Sequence, residues 1–490
     1  MRRLIENIDA LYTCDDRDRV LKGAWIVIEG AKIAALGEGQ APAGEFAERI
    51  DLTGSVAMPG LINAHHHFFQ TLTRALPRAQ RGQLLDWLAV LYPVWATMSP
   101  EDLAAAAAAT MAELLLTGAT TSVDHFYLVP RCDPAYLEAE VDAARTSGIR
   151  LHLVRGSMTA IEGDLERRLS SVLGPRAGGI IDDPDSVLAS MQQTVEAFHD
   201  PKPGSFLTVA LGPTTPTYDD LDFMRSVAAT AERLAVGIHM HVHPQPHERL
   251  LCKERFGKTP VELLDSVGLL GPRTWFAHST RLDDADIKLL SSRGVGVAHC
   301  PRMVLRLGAR IPYIHRMRSS GMRIAVGVDG GASNDSGSML GEMRLALLLH
   351  RLSDGGAEVS YDDWMTPYDV LVMATRTAAA IIGRDDIGRI APGLCADVAA
   401  FDMRGVGFAG ARSDLLSGLL LAGDDTRASL TMVAGEPLVR DGRLLRENEY
   451  TLRDTADRAA ARVVARASSV TGVDYLDFGI KQSAQGPVRT

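Results

Sequence analysis

The sequence predicts an α/β fold, a (β/α)8 TIM barrel with a small composite β-sandwich domain formed from both termini. Two observations predict it. Apolar runs of strand length recur along the middle of the chain, separated by helix-like stretches such as 219–234 and 281–292. Shorter β-like runs, bounded by turn residues, occur near both ends, at 25–37 and 388–439. Alternating strands and helices are typical of a parallel barrel, and eight such units close one.

Each predicted element follows from one of these runs. The first barrel strand is the apolar run that precedes His65. The other barrel strands are predicted at 119–125, 149–156, 206–213, 235–243, 273–279, 294–300 and 322–329. The Ala-rich run 103–116 is predicted as a helix that packs on the core. We therefore expect a sandwich from residues 1–56 and 388–447, a barrel from 57–387, and a C-terminal helix (453–469) and tail within 448–490.

Composition and charge narrow the classes of partner. Of the 490 residues, 46% are hydrophobic and 23% are charged, as in ordinary soluble globular proteins. The net charge of −10 argues against nucleic acid and anionic membranes as partners, so we expect a small-molecule substrate. The five cysteines are scattered without a C-x-x-C pair, and the first residues lack the apolar segment of a signal peptide. We therefore expect a cytoplasmic protein.

A histidine cluster follows the first predicted barrel strand. Residues 58–67 are predicted to form a buried strand that ends in His65, His66 and His67. Because side chains alternate along a strand, His65 and His67 would point the same way and His66 the opposite way. Two imidazoles on one face form half of a site for a divalent metal.

Residues of the types that bind metals also occur at the ends of other predicted barrel strands. Strand five carries His239, His241 and His243 at alternate positions, strand six ends at His278, and strand eight ends at Asp329. Active sites of barrels lie at the carboxyl ends of the strands. Three imidazoles and a carboxylate suit Zn²⁺ or a similar metal, with one position left for water.

Each of these residues, taken alone, also has a structural interpretation. A histidine at the end of a strand is more often a hydrogen-bonded packing residue than a ligand. Asp329 precedes two glycines and could cap a turn. His125 and His299 end other strands, where lining a pocket and packing in the core are equally compatible with the sequence. The coincidence of so many such residues at strand ends favours a metal site.

The chain resembles the amidohydrolase superfamily, in the branch of cytosine, guanine and 8-oxoguanine deaminases and triazine hydrolases. The resemblance extends to about residue 447, with its motifs in the expected order. The segments that carry it are PGLINAHHHFFQ from Pro59, LLDWL from Leu84, Ala277-His278, VDGGASND from Val328, ATR from Ala374 and IGRIAPGLCAD from Ile387.

The resemblance implies a mononuclear metal centre and a set of roles for its residues. The implied ligands are His65, His67, His241 and Asp329, with Zn expected first and Fe, Mn or Co as alternatives. His278 would polarise the substrate or help deprotonate the attacking water, together with Asp329. Family members with two metals use a lysine at the end of strand four, where this chain has Gly212-Pro213 and carries Lys202 only before the strand. One metal is therefore expected, in a homodimer or larger homo-oligomer.

One position departs from the deaminase pattern. Deaminases of this branch carry a proton-shuttling glutamate three residues after the strand-five ligand, and here that residue is Pro244. General acid–base catalysis contributes about 10²–10⁴-fold, so another group must replace it or the substrate must need it less. His243 is the preferred replacement, although it could equally be a rim residue. Glu248 is the second candidate and is expected to point away.

The family resemblance and the proline at position 244 predict different classes of substrate. The resemblance favours aminohydrolysis of a purine-, pterin- or triazine-like ring, whereas Pro244 favours cleavage of an amide, urea or (thio)carbamate. A non-catalytic homologue that keeps the metal for structure or ligand binding is the alternative from another class. Some positions are expected to contact a flat organic substrate, although Trp87 and Tyr92, on a helix-like segment, could equally be core residues. They are Gln70, Trp87, Tyr92, His125 and Met303.

Overall fold

The N-terminal segment of the chain forms the first strands of a mixed β-sheet. The computed structural model describes residues 1–161, 166–167, 169–170, 180–242, 246–423 and 426–478. The strands are β1 (Arg2–Tyr12), β2 (Val20–Glu29), β3 (Lys32–Glu38), β4 (Glu48–Asp51) and β5 (Ser55–Pro59). A two-residue turn joins β2 to β3, and its first residue, Gly30, has a φ of 59°, which glycine adopts without strain.

The chain passes from this sheet into the barrel at Gly60. β5 ends at Pro59, and the first barrel strand, β6, spans only Leu61–Asn63. The prediction of one buried strand through residues 58–67 was therefore wrong, because the run contains two strands of different sheets and the histidines follow the second. A Cβ atom on Gly60 would lie 2.2 Å from the Thr120 side chain, so this crossing requires glycine.

Eight parallel strands form the barrel, which confirms the predicted fold class. All seven adjacent pairs between β6 and β13 are parallel. The Ala64 amide donates a hydrogen bond to the Val326 carbonyl (3.1 Å), which links the first strand to the last. The strands after β6 are β7 (Ala119–Phe126), β8 (Arg150–Ser157), β9 (Leu207–Pro213), β10 (Gly237–Val242), β11 (Thr274–His278), β12 (Gly296–His299) and β13 (Arg323–Val326).

Helices cover the outside of the barrel. The Ala-rich run is the core-packed part of α2, which begins at a capping box formed by Ser99 and Asp102 with Pro100 in its first turn. The helices are α1 (Leu84–Trp95), α2 (Pro100–Leu116), α3 (Pro134–Ser147), α4 (Pro184–Phe198), α5 (Leu221–Leu234), α6 (Pro246–Phe256), α7 (Pro260–Ser266), α8 (Asp284–Arg293), α9 (Pro301–Arg306), α10 (Ile314–Ser319), α11 (Met339–Leu352), α12 (Pro367–Met373) and α13 (Arg376–Ile381). Short 3₁₀ turns occur at Phe68–Thr73, Pro77–Ala79, Pro130–Cys132, Tyr361–Asp363 and Val406–Phe408.

The C-terminal part of the chain completes the first sheet. Its elements are β14 (Val398–Asp402), α14 (Leu415–Leu421), β15 (Leu430–Val433), β16 (Glu436–Arg440), β17 (Arg443–Leu444) and α15 (Glu449–Thr471). β14 pairs antiparallel with β5, and the sheet has the order β17-β16-β15-β14-β5-β1-β2-β3, with β4 beside β1. Both termini thus build one β domain, as predicted. The predicted end of the tail, 481–490, lies outside the described residues.

A buried ion pair connects this sheet domain to the barrel. The Arg150 guanidinium at the start of β8 binds both carboxylate oxygens of Asp397, at 2.7 and 3.0 Å. Asp397 also accepts a hydrogen bond from the Ala434 amide (2.7 Å). Within the described ranges, no helix combines the length and apolarity that crossing a bilayer requires.

Candidate metal centre and active site

The four residues expected as metal ligands meet at the carboxyl end of the barrel. The Nε2 atoms of His65 and His67 lie 3.3 and 3.5 Å from Oδ1 of Asp329. The Nε2 atom of His67 lies 3.1 Å from Nε2 of His241. All four side chains are buried. They come from the loop after β6, from β10 and from the segment after β13, which places donors from distant parts of the sequence around one point.

Backbone carbonyls determine which ring nitrogen of two of these histidines carries the proton. Nδ1 of His67 donates to the His125 carbonyl (2.7 Å), and Nδ1 of His241 donates to the Thr214 carbonyl (2.9 Å). A carbonyl oxygen only accepts, so each Nδ1 bears hydrogen. In a neutral imidazole the Nε2 atom then carries a lone pair.

His239 determines the tautomer of His65. Nδ1 of His239 donates to the Trp275 carbonyl (2.9 Å), which leaves Nε2 of His239 as an acceptor. Nδ1 of His65 lies 2.8 Å from that atom and donates to it. The Nε2 atom of His65 is therefore a lone-pair donor too, and it is buried without a hydrogen-bond partner among the described residues.

These hydrogen bonds leave the centre composed of acceptors only. The three imidazole lone pairs and the Asp329 carboxylate converge, with 3.1 Å between His67 and His241 and 3.3–3.5 Å from Asp329 to His65 and His67, and none of these four side chains places a hydrogen between them. Such an arrangement is unfavourable unless a cation lies between the groups. Imidazole nitrogens with one carboxylate are the donor set that zinc and similar divalent metals bind. The residues therefore fit a divalent metal ion.

Burial keeps the ligand histidines neutral. It is the largest cause that lowers the pKa of His65 and His241 far below the usual value, and neighbouring imidazoles lower both further. The pKa of His67 is also lowered, mainly by burial, although the Asp329 carboxylate opposes this. Neutral imidazole is the form that binds a metal at neutral pH.

His278 lies beside the donor set at the end of β11. Its ring stacks on that of His241, with 5.4 Å between centroids, and contacts His65 edge-on at 5.3 Å. Burial lowers its pKa to about 4. His278 and Asp329 have φ angles of 72° and 65°, a region that non-glycine residues adopt at a cost. Both side chains are thus held by strained backbone, which is common at functional sites.

A cavity opens above the donor set, and several predicted substrate-contact residues line it. Gln70, Trp87, Tyr92 and Met303 lie on its wall with the expected ligands His67, His241 and Asp329 and with His278. His125 does not belong to the wall among the described residues. Its ring packs against His241, with 4.9 Å between centroids, and its nitrogens are within reach of a metal bound by His67 and His241.

Other wall residues lie just after strand ends and were not predicted. Tyr127 follows β7 directly, and Thr214, Thr217 and Tyr218 follow β9. The strand-end rule that identified the histidines also points to these positions. Their hydroxyl groups gave no signal of their own in the sequence, because serine, threonine and tyrosine are common in loops.

Of the two residues that could take over the role of the missing glutamate, His243 and Glu248, the structure describes only Glu248. His243 and Pro244 lie outside the described residues, so the role of His243 stays a prediction. The expectation that Glu248 points away was wrong, because its side chain is buried in the first turn of α6 and lines the cavity.

Comparison with known proteins agrees with this geometry. Residues 56–438 match the Amidohydrolase family. An 8-oxoguanine deaminase of Pseudomonas aeruginosa is 38% identical over 446 residues, which cover 90% of this chain and 94% of that protein. A hydroxydechloroatrazine ethylaminohydrolase of Pseudomonas sp. strain ADP is 33% identical over 470 residues, covering 93% and 94%. The crystal structure of an atrazine chlorohydrolase of Arthrobacter aurescens, complexed with zinc, has a TM-score of 0.85 at 30% identity and covers 94% of this chain and 100% of that one. The chain therefore belongs to the amidohydrolase family.

Proposed function

We propose that this protein is a metal-dependent aminohydrolase that acts on a purine-, pterin- or triazine-like ring. The observation that carries the proposal is the group of acceptor atoms from His65, His67, His241 and Asp329 at the floor of a cavity. The similar 8-oxoguanine deaminase and triazine-derivative hydrolase support both the carbon–nitrogen bond and the ring. The proposed reaction class is therefore hydrolysis of carbon–nitrogen bonds other than peptide bonds.

The four ligands would hold one divalent metal, and zinc is proposed because it is present in the similar chlorohydrolase structure. When bound, the metal acts as a Lewis acid and makes water nucleophilic at neutral pH. Iron, manganese and cobalt bind the same donor types, and metal analysis of the purified protein distinguishes them.

His278 and Asp329 are proposed to orient the attacking water and the ring. Burial keeps His278 neutral, so one ring nitrogen can accept a proton while the other donates. Oδ1 of Asp329 lies 3.3 and 3.5 Å from the Nε2 atoms of His65 and His67, and the carboxylate would orient the attacking water by accepting a hydrogen bond from it on the cavity side. Both groups are buried and lie on the cavity wall, so the cavity is a route by which water reaches them.

The cavity wall suits a flat heterocycle. Trp87, Tyr92 and Tyr127 are buried aromatic residues on this wall, and their faces and edges can stack on a planar ring. Gln70 offers an amide donor and acceptor beside them, which matches the alternating N–H and C=O groups of oxidised purines and pterins. Met303 adds an adaptable apolar contact.

Cleavage of an amide, urea or (thio)carbamate is the second candidate. Pro244 at the position of the usual glutamate favours it, because the oxygen of the tetrahedral centre in such a reaction can be stabilised directly by a metal.

A release assay with metal analysis tests the proposal. Purified protein is loaded with zinc and supplied with 8-oxoguanine, guanine, a pterin, an aminotriazine, an arylamide, a phenylurea and a carbamate. We expect about one metal per chain and ammonia release from at least one ring. Amine release from only the amide, urea or carbamate set would replace the proposal with the second candidate. Stoichiometric metal without any turnover would support a binding protein instead.

The cellular setting and the oligomeric state are part of the proposal. The scattered cysteines and acidic charge support a cytoplasmic protein with a small-molecule substrate, and the family resemblance supports a homo-oligomer. Light scattering on the eluted protein measures the subunit number, and a monomer would contradict that part.

A further inference from the structure

Replacement of the usual strand-five glutamate leaves a proton-transfer step without its carrier. Hydrolysis of a ring C–N bond forms a C–O bond from water and breaks the C–N bond. A proton must therefore leave the water, and a proton must reach the ring nitrogen or the departing amine. Pro244 can do neither, and His278 and Asp329 lie on the side of the metal ligands.

Glu248 brings a carboxylate into the same cavity from a different element. It is the third residue of α6 (Pro246–Phe256), and only 2% of its surface is exposed. It shares the cavity wall with His67, His241, His278 and Asp329. Glutamate is rarely buried unless it is paired, so a solubilising role does not explain a glutamate in this place.

The arrangement of α6 directs Glu248 inward. Cys252, one turn further along the helix, is completely buried, whereas Leu250 is 63% exposed and Glu254 also faces solvent. Residues 248 and 252 thus lie on the inner face, as the i, i+4 spacing of a helix requires.

An ion-pair network holds the helix in this orientation. Arg249 binds Asp286 (2.8 Å) and Asp283 (2.5 Å) at the start of α8. The next residue after Glu248 is therefore anchored to a neighbouring helix, which fixes the rotation of α6 about its axis.

Glu248 also lies close to the tyrosine that follows β9. Burial raises the pKa of the Tyr218 phenol, and the charge of Glu248 adds to that effect. Tyr218 lies on the cavity wall, so this proximity places the carboxylate beside a surface that a substrate contacts.

We propose that Glu248 is the general acid–base residue of this enzyme, in place of the glutamate that Pro244 replaces. This inference rests on the proposed aminohydrolase function. Glu248 accepts one proton from the attacking water and delivers it to the leaving amine, either directly or by way of the ring nitrogen beside the reacting carbon. The C–O bond forms, the C–N bond breaks, ammonia leaves and Glu248 returns to its initial state. No oxidant or further reactant is needed.

The test compares Glu248→Gln with Glu254→Gln in the zinc-loaded protein. Glu254 is on the same helix and exposed, so it controls for the loss of one charge on α6. We expect kcat of Glu248→Gln to fall by about 10²–10⁴-fold and kcat of Glu254→Gln to stay within twofold. Metal content, melting temperature and the Kd of an unreactive analogue of the ring substrate should match the parent protein in both variants.

A rescue experiment separates proton transfer from a structural role. In Glu248→Ala, added formate should restore part of kcat, because a small carboxylic acid can occupy the vacated volume and carry the proton. The acidic limb of the pH profile of kcat should change in Glu248→Gln and reappear with formate. A structural role would instead lower the melting temperature and give no rescue.

Three outcomes would overturn the inference. Full kcat in Glu248→Gln refutes it directly. A large loss in His243→Ala together with little loss in Glu248→Gln assigns the step to His243. If the parent protein does not release an amine from any ring substrate, the proposed function fails and this inference fails with it. If the parent protein turns over a ring substrate and Glu248→Gln keeps the same kcat, only the inference is refuted.

Discussion

Nε2 of His239 accepts a hydrogen bond from Nδ1 of His65 (2.8 Å), so a histidine of β10 determines the tautomer of a histidine that follows β6. The other two ligand imidazoles are held by the backbone carbonyls of His125 and Thr214. An amino-acid substitution cannot remove a backbone carbonyl group. Among the described residues, the contact between His239 and His65 is therefore the hydrogen bond to these three imidazoles that a side-chain change can test.

Replacing His239 by alanine should weaken metal binding about 10–100-fold, the usual effect of losing a hydrogen bond to a ligand histidine. The His65 ring would lose its orientation and its fixed tautomer. Competition with a chromophoric chelator measures the affinity. His152→Ala is the matched control, because His152 is also buried in the barrel but bonds to Thr208 (2.7 Å). Equal affinities of His239→Ala and the parent would contradict the prediction.

Removal of the metal should destabilise the protein. Without a cation, the lone pairs of His67 and His241 face each other at 3.1 Å, and Asp329 adds a negative charge nearby. A ligand that binds only the folded state at about 1,000 times its Kd stabilises by about 4 kcal/mol. Dialysis against a chelator should therefore lower the melting temperature, and added zinc should restore it.

The variant Asp329→Ala provides the control for metal removal. It lacks the carboxylate ligand, so it should hold less metal, and the chelator should change its melting temperature less than that of the parent. Coincident melting curves for chelated and zinc-reloaded parent protein would show that no metal contributes to stability.

The barrel and the meeting of the four expected ligands at one end of it could be predicted, because strand periodicity and strand ends are local properties of a sequence. His241 and Asp329 both occur at the end of an apolar run, and parallel strands bring such ends together. The division at Gly60 could not be predicted, because apolar content does not show which sheet a strand joins. The inward direction of Glu248 depends on how α6 is rotated against α8, which is a tertiary property.

The ion pair between Arg150 and Asp397 should contribute strongly to the stability of the whole chain. Both side chains are buried, and the contact is bidentate. Asp397→Ala leaves a buried guanidinium without its counter-charge, which typically costs about 3–5 kcal/mol. Urea unfolding measures this loss.

An exposed ion pair is the control for that experiment. Arg145 and Asp142 on α3 lie 2.9 Å apart with more than half of each side chain exposed, so Asp142→Ala should cost at most about 1 kcal/mol. The double change Arg150→Met with Asp397→Leu should recover much of the stability, because an apolar pair avoids the uncompensated charge. Similar small losses at Asp397 and Asp142 would show that the buried pair does not hold the two domains together.

The buried carboxyl groups of Asp124 and Glu140 should make the protein less stable as the pH rises. Burial is the largest cause that raises the pKa of each far above its usual value, and the charge of Asp124 raises the pKa of Glu140 further. In the unfolded chain the pKa of an aspartate is about 3.9 and that of a glutamate is about 4.3. Above that range the folded state binds more protons than the unfolded state, so the free energy of unfolding decreases with increasing pH.

The change Glu140→Gln tests this relationship. It removes one ionisable group but keeps a donor that can face Asp124, whose Oδ1 atom accepts the Phe68 amide (2.6 Å) next to the ligand His67. The contribution of the pair is complete below about pH 4 and is lost as the pH passes the raised pKa values. Glu140→Gln should therefore gain stability over the parent between pH 5 and pH 9, with the gain increasing toward pH 9. Glu138→Gln, an exposed change on the same helix, should show no such trend, and a constant difference at all pH values would refute the assignment.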